Sequence, residues 1–166
     1  MEKTVNEKEK LVSITDLEQD GEITFFEGKP FSGVCVDYNN GQKTYEGSLR
    51  NGGIEERYIE RYENGKKLSE GTYKDGKEDG LGILWYENGK KQVQGTFNDD
   101  GRRDGLWTEW YENGQKKYQG TYKDDKQNGL STDWYENGQK KYEETWKDGE
   151  RHGLSTFWYE NGQKQF

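Results

Sequence analysis

Few residues in this sequence could do chemistry. His152 is the single histidine and Cys35 the single cysteine. A metal centre needs several His, Cys or carboxylate ligands at suitable spacing, and neither residue has sequence neighbours that would complete a set. His152 stands in Arg151-His152-Gly153, where other copies of the same pattern carry Asp79 or Asn128, so it reads as a solvated loop residue. Cys35 lies in the apolar run Val34-Cys35-Val36 and reads as a small core residue, because a nucleophile would need an activating base beside it. The Asp-Gly and Asp-Asp pairs lack the carboxylate ladder and distal Glu of a calcium loop, and turn chemistry accounts for them. The Glu-Asn-Gly carboxylates recur from copy to copy, whereas an acid–base couple is two residues in one cleft. No catalytic residue, cofactor or metal is expected, and the chain does not read as an enzyme.

What remains is a set of rings and cations. Trp85, Trp110, Trp134 and Trp158 recur at intervals of 25, 24 and 24 residues. With Lys117 and Lys141 they form the candidate binding face. Two readings fit. In one, the tryptophans and lysines cover each other's apolar surfaces in a structural ladder. In the other, a row of partly exposed aromatics on a sheet with no second layer is a recognition surface. Both can hold at once.

The elements that position these residues are repeats. Tyr38, Tyr62, Tyr86, Tyr111, Tyr135 and Tyr159 each stand three residues before a glycine, and successive copies are 24, 24, 25, 24 and 24 residues apart. A fixed period of this size marks a repeat architecture. Each copy holds two strand-like runs, such as Gly129-Leu130-Ser131-Thr132-Asp133-Trp134-Tyr135 and residues 139–147, and no helical periodicity. Asn137-Gly138 between them predicts a two-residue type I′ hairpin, whereas Asp148-Gly149-Glu150-Arg151-His152 predicts a looser connection. The fold class is all-β: an elongated single-layer antiparallel meander of repeated hairpins, of about a dozen strands and, at ~4.8 Å per strand, roughly 55 Å long.

A two-residue loop at Asn137-Gly138 makes opposed residues sum to 275. Gly129 then faces Trp146, Trp134 faces Lys141 and Trp110 faces Lys117. The same arithmetic sets Gly105 against Tyr122 and Gly80 against Phe97, so an aromatic ring is expected to cover a cross-strand glycine. The second repeat departs, with Glu56 opposite Tyr73. The extra residue in Phe97-Asn98-Asp99-Asp100-Gly101 predicts a longer loop without a shift of register. Trp134, Thr132 and Leu130 should share one face, and Arg61 and Asp37 should take the tryptophan's place in the first two repeats.

Upstream, residues 1–10 read as a flexible tail and 11–32 as an N-terminal β cap, with a β run at Ile23-Thr24-Phe25-Phe26 ended by Glu27-Gly28-Lys29-Pro30. Residues 33–166 form an array of about five and a half 24-residue hairpin repeats.

Composition limits the partners. Only 27% of residues are hydrophobic and 35% are charged, a balance that favours disorder unless the 14% of aromatics pack between neighbouring repeats. The net charge is -8, and residues 1–37 carry -5 of it, with 9 acidic and 4 basic groups. No basic field draws in nucleic acid, and the acidic balance disfavours a membrane surface. No apolar run reaches the length of a membrane span or a signal core. The expected location is cytoplasmic, or exported or envelope-associated if a signal segment precedes Met1.

The unit Gly71-Thr72-Tyr73-Lys74-Asp75-Gly76-Lys77, then Gly80-Leu81 and Trp85-Tyr86-Glu87-Asn88-Gly89-Lys90-Lys91, resembles the MORN-type repeat in its second, bacterial variant. Glu27-Gly28-Lys29-Pro30-Phe31-Ser32-Gly33 resembles the opening of such proteins, and the likeness spans residues 27–166. Proteins of this layout are grouped as a YwqK-like antitoxin family. The resemblance implies a non-enzymatic protein-interaction module, the antitoxin or immunity component of a bacterial toxin–antitoxin pair, with another protein as partner. The alternatives are a cell-wall or carbohydrate ligand-binding repeat array and an envelope-associated structural scaffold. The two end strands of a meander are open edges, so edge-to-edge homodimerisation is a further expectation.

Overall fold

A computed structural model describes residues 11–20, 23–51 and 53–165. The tail expected over residues 1–10 lies outside them, as does the Gly21 end of the small turn after Asp20. Among the described residues there is no α-helix, and one 3-10 turn spans Ile14–Asp16.

The long strands Gly33–Asn39, Gln42–Arg50, Gly53–Arg61, Lys67–Lys74, Gly80–Trp85, Lys91–Phe97, Gly105–Trp110, Lys116–Lys123, Gly129–Trp134 and Lys140–Lys147 pair in sequence order as one open antiparallel sheet. Thr156–Phe157 continues it beside Lys140–Lys147. The meander has one exception. Leu11–Ser13 pairs in parallel with Val34–Val36, so the outer edge of the first long strand is covered. Beside it, Glu18–Asp20, Ile23–Phe26 and Lys29–Pro30 form a separate three-stranded sheet. Val12, Phe31, Cys35 and Leu49 are buried together there, with Leu17, Phe26 and Tyr45 packed against them.

The expected register is present. Gly129 pairs with Trp146, Gly105 with Tyr122, Gly80 with Phe97 and Glu56 with Tyr73. The longer loop at Asn98–Gly101 leaves it intact, with Phe97 still bridged to Arg103 and Gly105 still opposite Tyr122.

The turns differ from expectation, and their roles are exchanged. At Asp148-Gly149 both residues have positive φ (53° and 87°) and Lys147 pairs directly with Glu150, so the polar connection is the tight two-residue turn. Asp75-Gly76 and Asp124-Asp125 are built the same way. At Asn137-Gly138 only the glycine has positive φ. Gly138 N–H donates to the Tyr135 carbonyl at 2.9 Å and Tyr135 N–H to the Gln139 carbonyl at 2.8 Å, so three residues form the loop. One copy, Asn40-Gly41, does have both residues at positive φ, with Asn39 paired to Gln42.

The wider loop moves the pairing by one, and a bulge moves it back. Trp134 pairs with Lys140, the next rung is Asp133 with Tyr142, and Lys141 is the extra residue. Trp110 likewise pairs with Lys116 and not with Lys117. Loop and bulge cancel, and for that reason the arithmetic from a two-residue loop holds over the rest of the hairpin while failing at the two lysines.

The physical reason for one set of glycines also changes. Gly105 has φ +103°, and a Cβ there would meet Thr96 Oγ1 of the preceding strand, not the Tyr122 ring. Its backbone conformation requires glycine, because here the chain leaves the Asp-rich turn and re-enters the sheet. The rings cover other glycines: a Cβ on Gly82 would meet Phe97, one on Gly95 would meet Trp107 and one on Gly120 would meet Tyr118.

Candidate functional site

Alternation along Gly129–Trp134 puts Leu130, Thr132 and Trp134 on one face and Ser131 and Asp133 on the other. On the first face, Trp85, Trp110, Trp134 and Trp158 are all half-buried. Each carries a lysine ammonium over its ring, and the lysine comes from the preceding repeat: Lys67 at 5.3 Å from Trp85, Lys91 at 5.9 Å from Trp110, Lys116 at 5.6 Å from Trp134 and Lys140 at 5.5 Å from Trp158. Lys164 lies 5.8 Å from the Trp158 ring. The register sets Lys91, Lys116 and Lys140 beside Trp85, Trp110 and Trp134 across their own hairpins. The result is one alternating row, Lys67-Trp85-Lys91-Trp110-Lys116-Trp134-Lys140-Trp158-Lys164. Arg61 opens it, paired to Lys67.

An acceptor three residues on holds each strand lysine in place. Lys67 reaches Glu70 at 2.5 Å, Lys91 reaches Gln94 at 2.5 Å, Lys116 reaches Gln119 at 3.2 Å and Lys140 reaches Glu143 at 2.5 Å. Burial raises the Glu70 carboxyl, but hydrogen bonds from Lys67 and Arg57 outweigh it and hold the group below the ordinary range. The two central lysines face neutral amides, so their charge is not offset within the row.

Lys117 and Lys141, expected opposite Trp110 and Trp134, lie elsewhere. Lys117 pairs with Glu109 at 3.3 Å, and Lys141 sits 5.6 Å from the Tyr135 ring. Each is the extra residue of its bulge, which turns it away from the tryptophan row.

A second system joins the repeats at the Tyr-x-Asn-Gly turns. Tyr62, Tyr86, Tyr111 and Tyr135 donate their hydroxyls to the backbone carbonyls of Trp85, Trp110, Trp134 and Trp158 at 2.7–2.9 Å. Asn64, Asn88, Asn113 and Asn137 donate to the carbonyls of Glu87, Glu112, Glu136 and Glu160 at 2.8–3.2 Å. The same asparagines accept from the backbone N–H two residues on at 2.8–3.0 Å. The motif is therefore written in the sequence for stacking turns, as much as for closing a hairpin.

The opposite face is packed by its own rings. Trp107 meets Phe97 and Tyr122 edge-on at 5.7 and 6.3 Å, with the Arg103 guanidinium 5.6 Å from its ring and 4.3 Å from the Tyr122 ring. Tyr118 and Tyr122 share a hydroxyl contact at 3.1 Å, and burial pushes Tyr118 well above its ordinary pKa. Tyr58, packed on Tyr73 at 5.2 Å, is pushed up by burial to about 12. This cluster escaped the sequence reading. Its signal was Trp107, which stands outside the 24-residue tryptophan series, at the place where Gly82 and Ser131 stand in neighbouring repeats.

Glu144 was missed as well. It occupies the position of Gly47, Gly71, Gly95 and Gly120 and is 1% exposed. Its Oε1 accepts from Ser155 Oγ at 2.6 Å and lies 3.1 Å from Arg151 Nε. Asp133 nearby is half-buried, and burial raises its carboxyl above the ordinary value against the opposing pull of Lys141. Cys35 is 2% exposed, donates to the Gly47 carbonyl at 3.4 Å and has its thiol pushed up by burial, which suits a core residue. It lines a cavity of about 150 Å³ with Ile14, Leu17, Tyr45 and Leu49. Among the described residues no group of His, Cys, Asp and Glu could hold a metal ion.

Comparison with known families agrees with this architecture. The profile of the MORN repeat variant matches residues 53–75, 103–124, 127–148 and 151–166, and that of the MORN repeat matches 70–91. The chain belongs to the MORN-repeat family. MORN repeats are in general non-catalytic modules that engage proteins or lipids, and this array is a repeat module of that family. The matched segments 53–75, 103–124 and 127–148 each enclose one Tyr-x-Asn-Gly turn with its two strands and end at the first residue of the next Asp turn, so the family unit coincides with the hairpin. No curated protein matches the chain. No helix among the described residues is long and apolar enough to cross a membrane.

Proposed function

We propose that this MORN array is a protein-interaction module that recognises its partner with the face bearing Trp85, Trp110, Trp134 and Trp158. The observation that carries this reading is the alternating Lys–Trp row. It is regular over four repeats, half-exposed and basic, on a chain whose net charge is -8. Concentrating positive charge and indole edges on one side of an acidic protein suits an acidic protein surface. The finer reading, drawn from the family resemblance, is the antitoxin or immunity partner of a bacterial toxin. The lysines over the rings also stabilise the sheet, so the row is ladder and surface at once.

The test is retention from a lysate of the native host with the full chain as bait. The expected result is one stoichiometric protein partner, lost when Trp110→Ala and Trp134→Ala are combined in a variant that keeps its far-UV circular dichroism. A partner encoded beside this chain and toxic without it would support the antitoxin reading. Retention on cell-wall or glycan material with no protein partner would replace the proposal with a ligand-binding array.

A further inference from the structure

An asparagine followed by glycine is chemically labile. The backbone nitrogen of the second residue can attack the carboxamide of the first, and glycine puts no side chain in the way. Each Tyr-x-Asn-Gly turn carries one such pair, at Asn40, Asn64, Asn88, Asn113, Asn137 and Asn161. In four of these turns both reacting groups are tied down. The carboxamides of Asn64, Asn88, Asn113 and Asn137 accept from the N–H two residues on at 2.8–3.0 Å. They also donate to a carbonyl of the next repeat at 2.8–3.2 Å. The glycine N–H that would attack is itself bound to the carbonyl of the turn's tyrosine at 2.8–2.9 Å.

The first turn is built differently and has neither restraint. Asn40 at φ 49° and Gly41 at φ 80° close it in two residues, with Asn39 paired to Gln42. The acceptor that Asn40 would use, the Glu63 carbonyl, is taken by the Gln42 carboxamide at 2.9 Å, whose oxygen accepts from the Gly65 N–H at 2.8 Å. Among the described residues the Asn40 carboxamide has no hydrogen-bond partner and the Gly41 N–H no backbone acceptor. Both residues are exposed.

We propose that Asn40-Gly41 is a site of spontaneous covalent modification, the copy of the repeated turn that the fold leaves open to deamidation. The Gly41 nitrogen loses its proton and bonds to Asn40 Cγ. The Cγ–Nδ2 bond then breaks, and the carboxamide nitrogen leaves with that proton as ammonia. Water opens the resulting five-membered succinimide at either carbonyl, giving aspartate or isoaspartate. No oxidant, reductant or cofactor enters. Either product adds a negative charge to the first hairpin, whose strands carry Cys35 and Leu49 of the apolar N-terminal cluster. Isoaspartate also lengthens by one carbon a turn that closes in two residues, which is incompatible with the pairing of Asn39 and Gln42. The inference is independent of the interaction reading, since the Lys–Trp row belongs to later repeats.

The lock on the other turns has a readable size. Breaking two ordinary hydrogen bonds before reaction slows a turn about tenfold or more. The full chain is held at mildly alkaline pH and physiological temperature, digested with trypsin and followed by tandem mass spectrometry for the exchange of ammonia for water. Asn40 should deamidate about tenfold faster than Asn64, Asn88, Asn113 and Asn137. Asn161, which keeps the bond from the Gln163 N–H at 3.0 Å, should fall between. In urea the six rates should converge, because glycine follows each of these asparagines. Asn40→Gly, which suits the left-handed φ, should leave the peptide spanning residues 11–43 without the mass change. Equal rates at Asn40 and the four locked asparagines in the folded chain would overturn the inference. So would a rate difference that persists in urea, or a mass change in that peptide that survives Asn40→Gly.

Discussion

Two carboxylates on opposite faces of the sheet should respond to pH with opposite sign. Glu70 is held low by Lys67 and Arg57, so its contribution to stability is full above the ordinary carboxylate pKa and is lost as pH falls through its depressed value. Glu70→Gln should cost on the order of 1 kcal/mol near pH 7, and the deficit should vanish in acid. Asp133 is raised by burial, so its ionised form opposes folding at every pH above the raised value. Asp133→Asn should therefore melt higher than wild type near neutral pH, with the gap closing as pH falls towards the ordinary aspartate value. Thermal melts of both variants across pH 3–8 decide the point, and equal slopes would contradict it. Gly105 offers a backbone test. With φ +103° and Thr96 Oγ1 in the path of a Cβ, Gly105→Ala should cost about 2 kcal/mol in denaturant unfolding.

The hairpin pairs strands within one repeat, but the Tyr-x-Asn-Gly turn ties each repeat to the next. Tyr111→Phe removes the bond to the Trp134 carbonyl and should cost about 1 kcal/mol. Asn113→Ala removes two bonds, to the Glu136 carbonyl and from the Gln115 amide, and should cost more. Hydrogen exchange should show the loss spreading to strands on both sides of the altered turn. A loss confined to the single hairpin would show that the turns do not couple repeats. Much of this level was legible. The 24-residue period, the strand pairs and the insertion at Asn98–Gly101 were all readable, because hydrophobic alternation and period place strands in register. Turn type was not. Asn-Gly and Asp-Gly both favour positive φ, and the choice between a two-residue and a three-residue loop lies in bonds to the next repeat, which one hairpin's sequence does not contain.

As an array with contacts only between neighbouring repeats, the chain should tolerate removal of one unit. Deleting residues 115–138 joins Gly114 to Gln139 and restores the Asn-Gly-Gln junction seen at Asn113-Gly114-Gln115. The shortened protein should fold with the same β-sheet spectrum, melt at a lower temperature and show a smaller dependence of stability on denaturant. An unfolded product would refute a modular sheet. The N-terminal end is built differently. Its apolar cluster of Val12, Phe31, Cys35 and Leu49 resembles an ordinary small core, while the array buries Ser69, Thr108, Ser131 and Thr132 beneath longer side chains.

Period, strand register and the choice of tryptophan, tyrosine and glycine at fixed places follow from local pattern, and the repeat class was readable from them. The cation beside each tryptophan was not. It depends on a bulge that cancels a wider loop, and on lysines that reach across to the following repeat. Such contacts form between residues whose separation along the chain, from Lys67 to Trp85 or from Lys116 to Trp134, has no meaning until the strands are laid side by side.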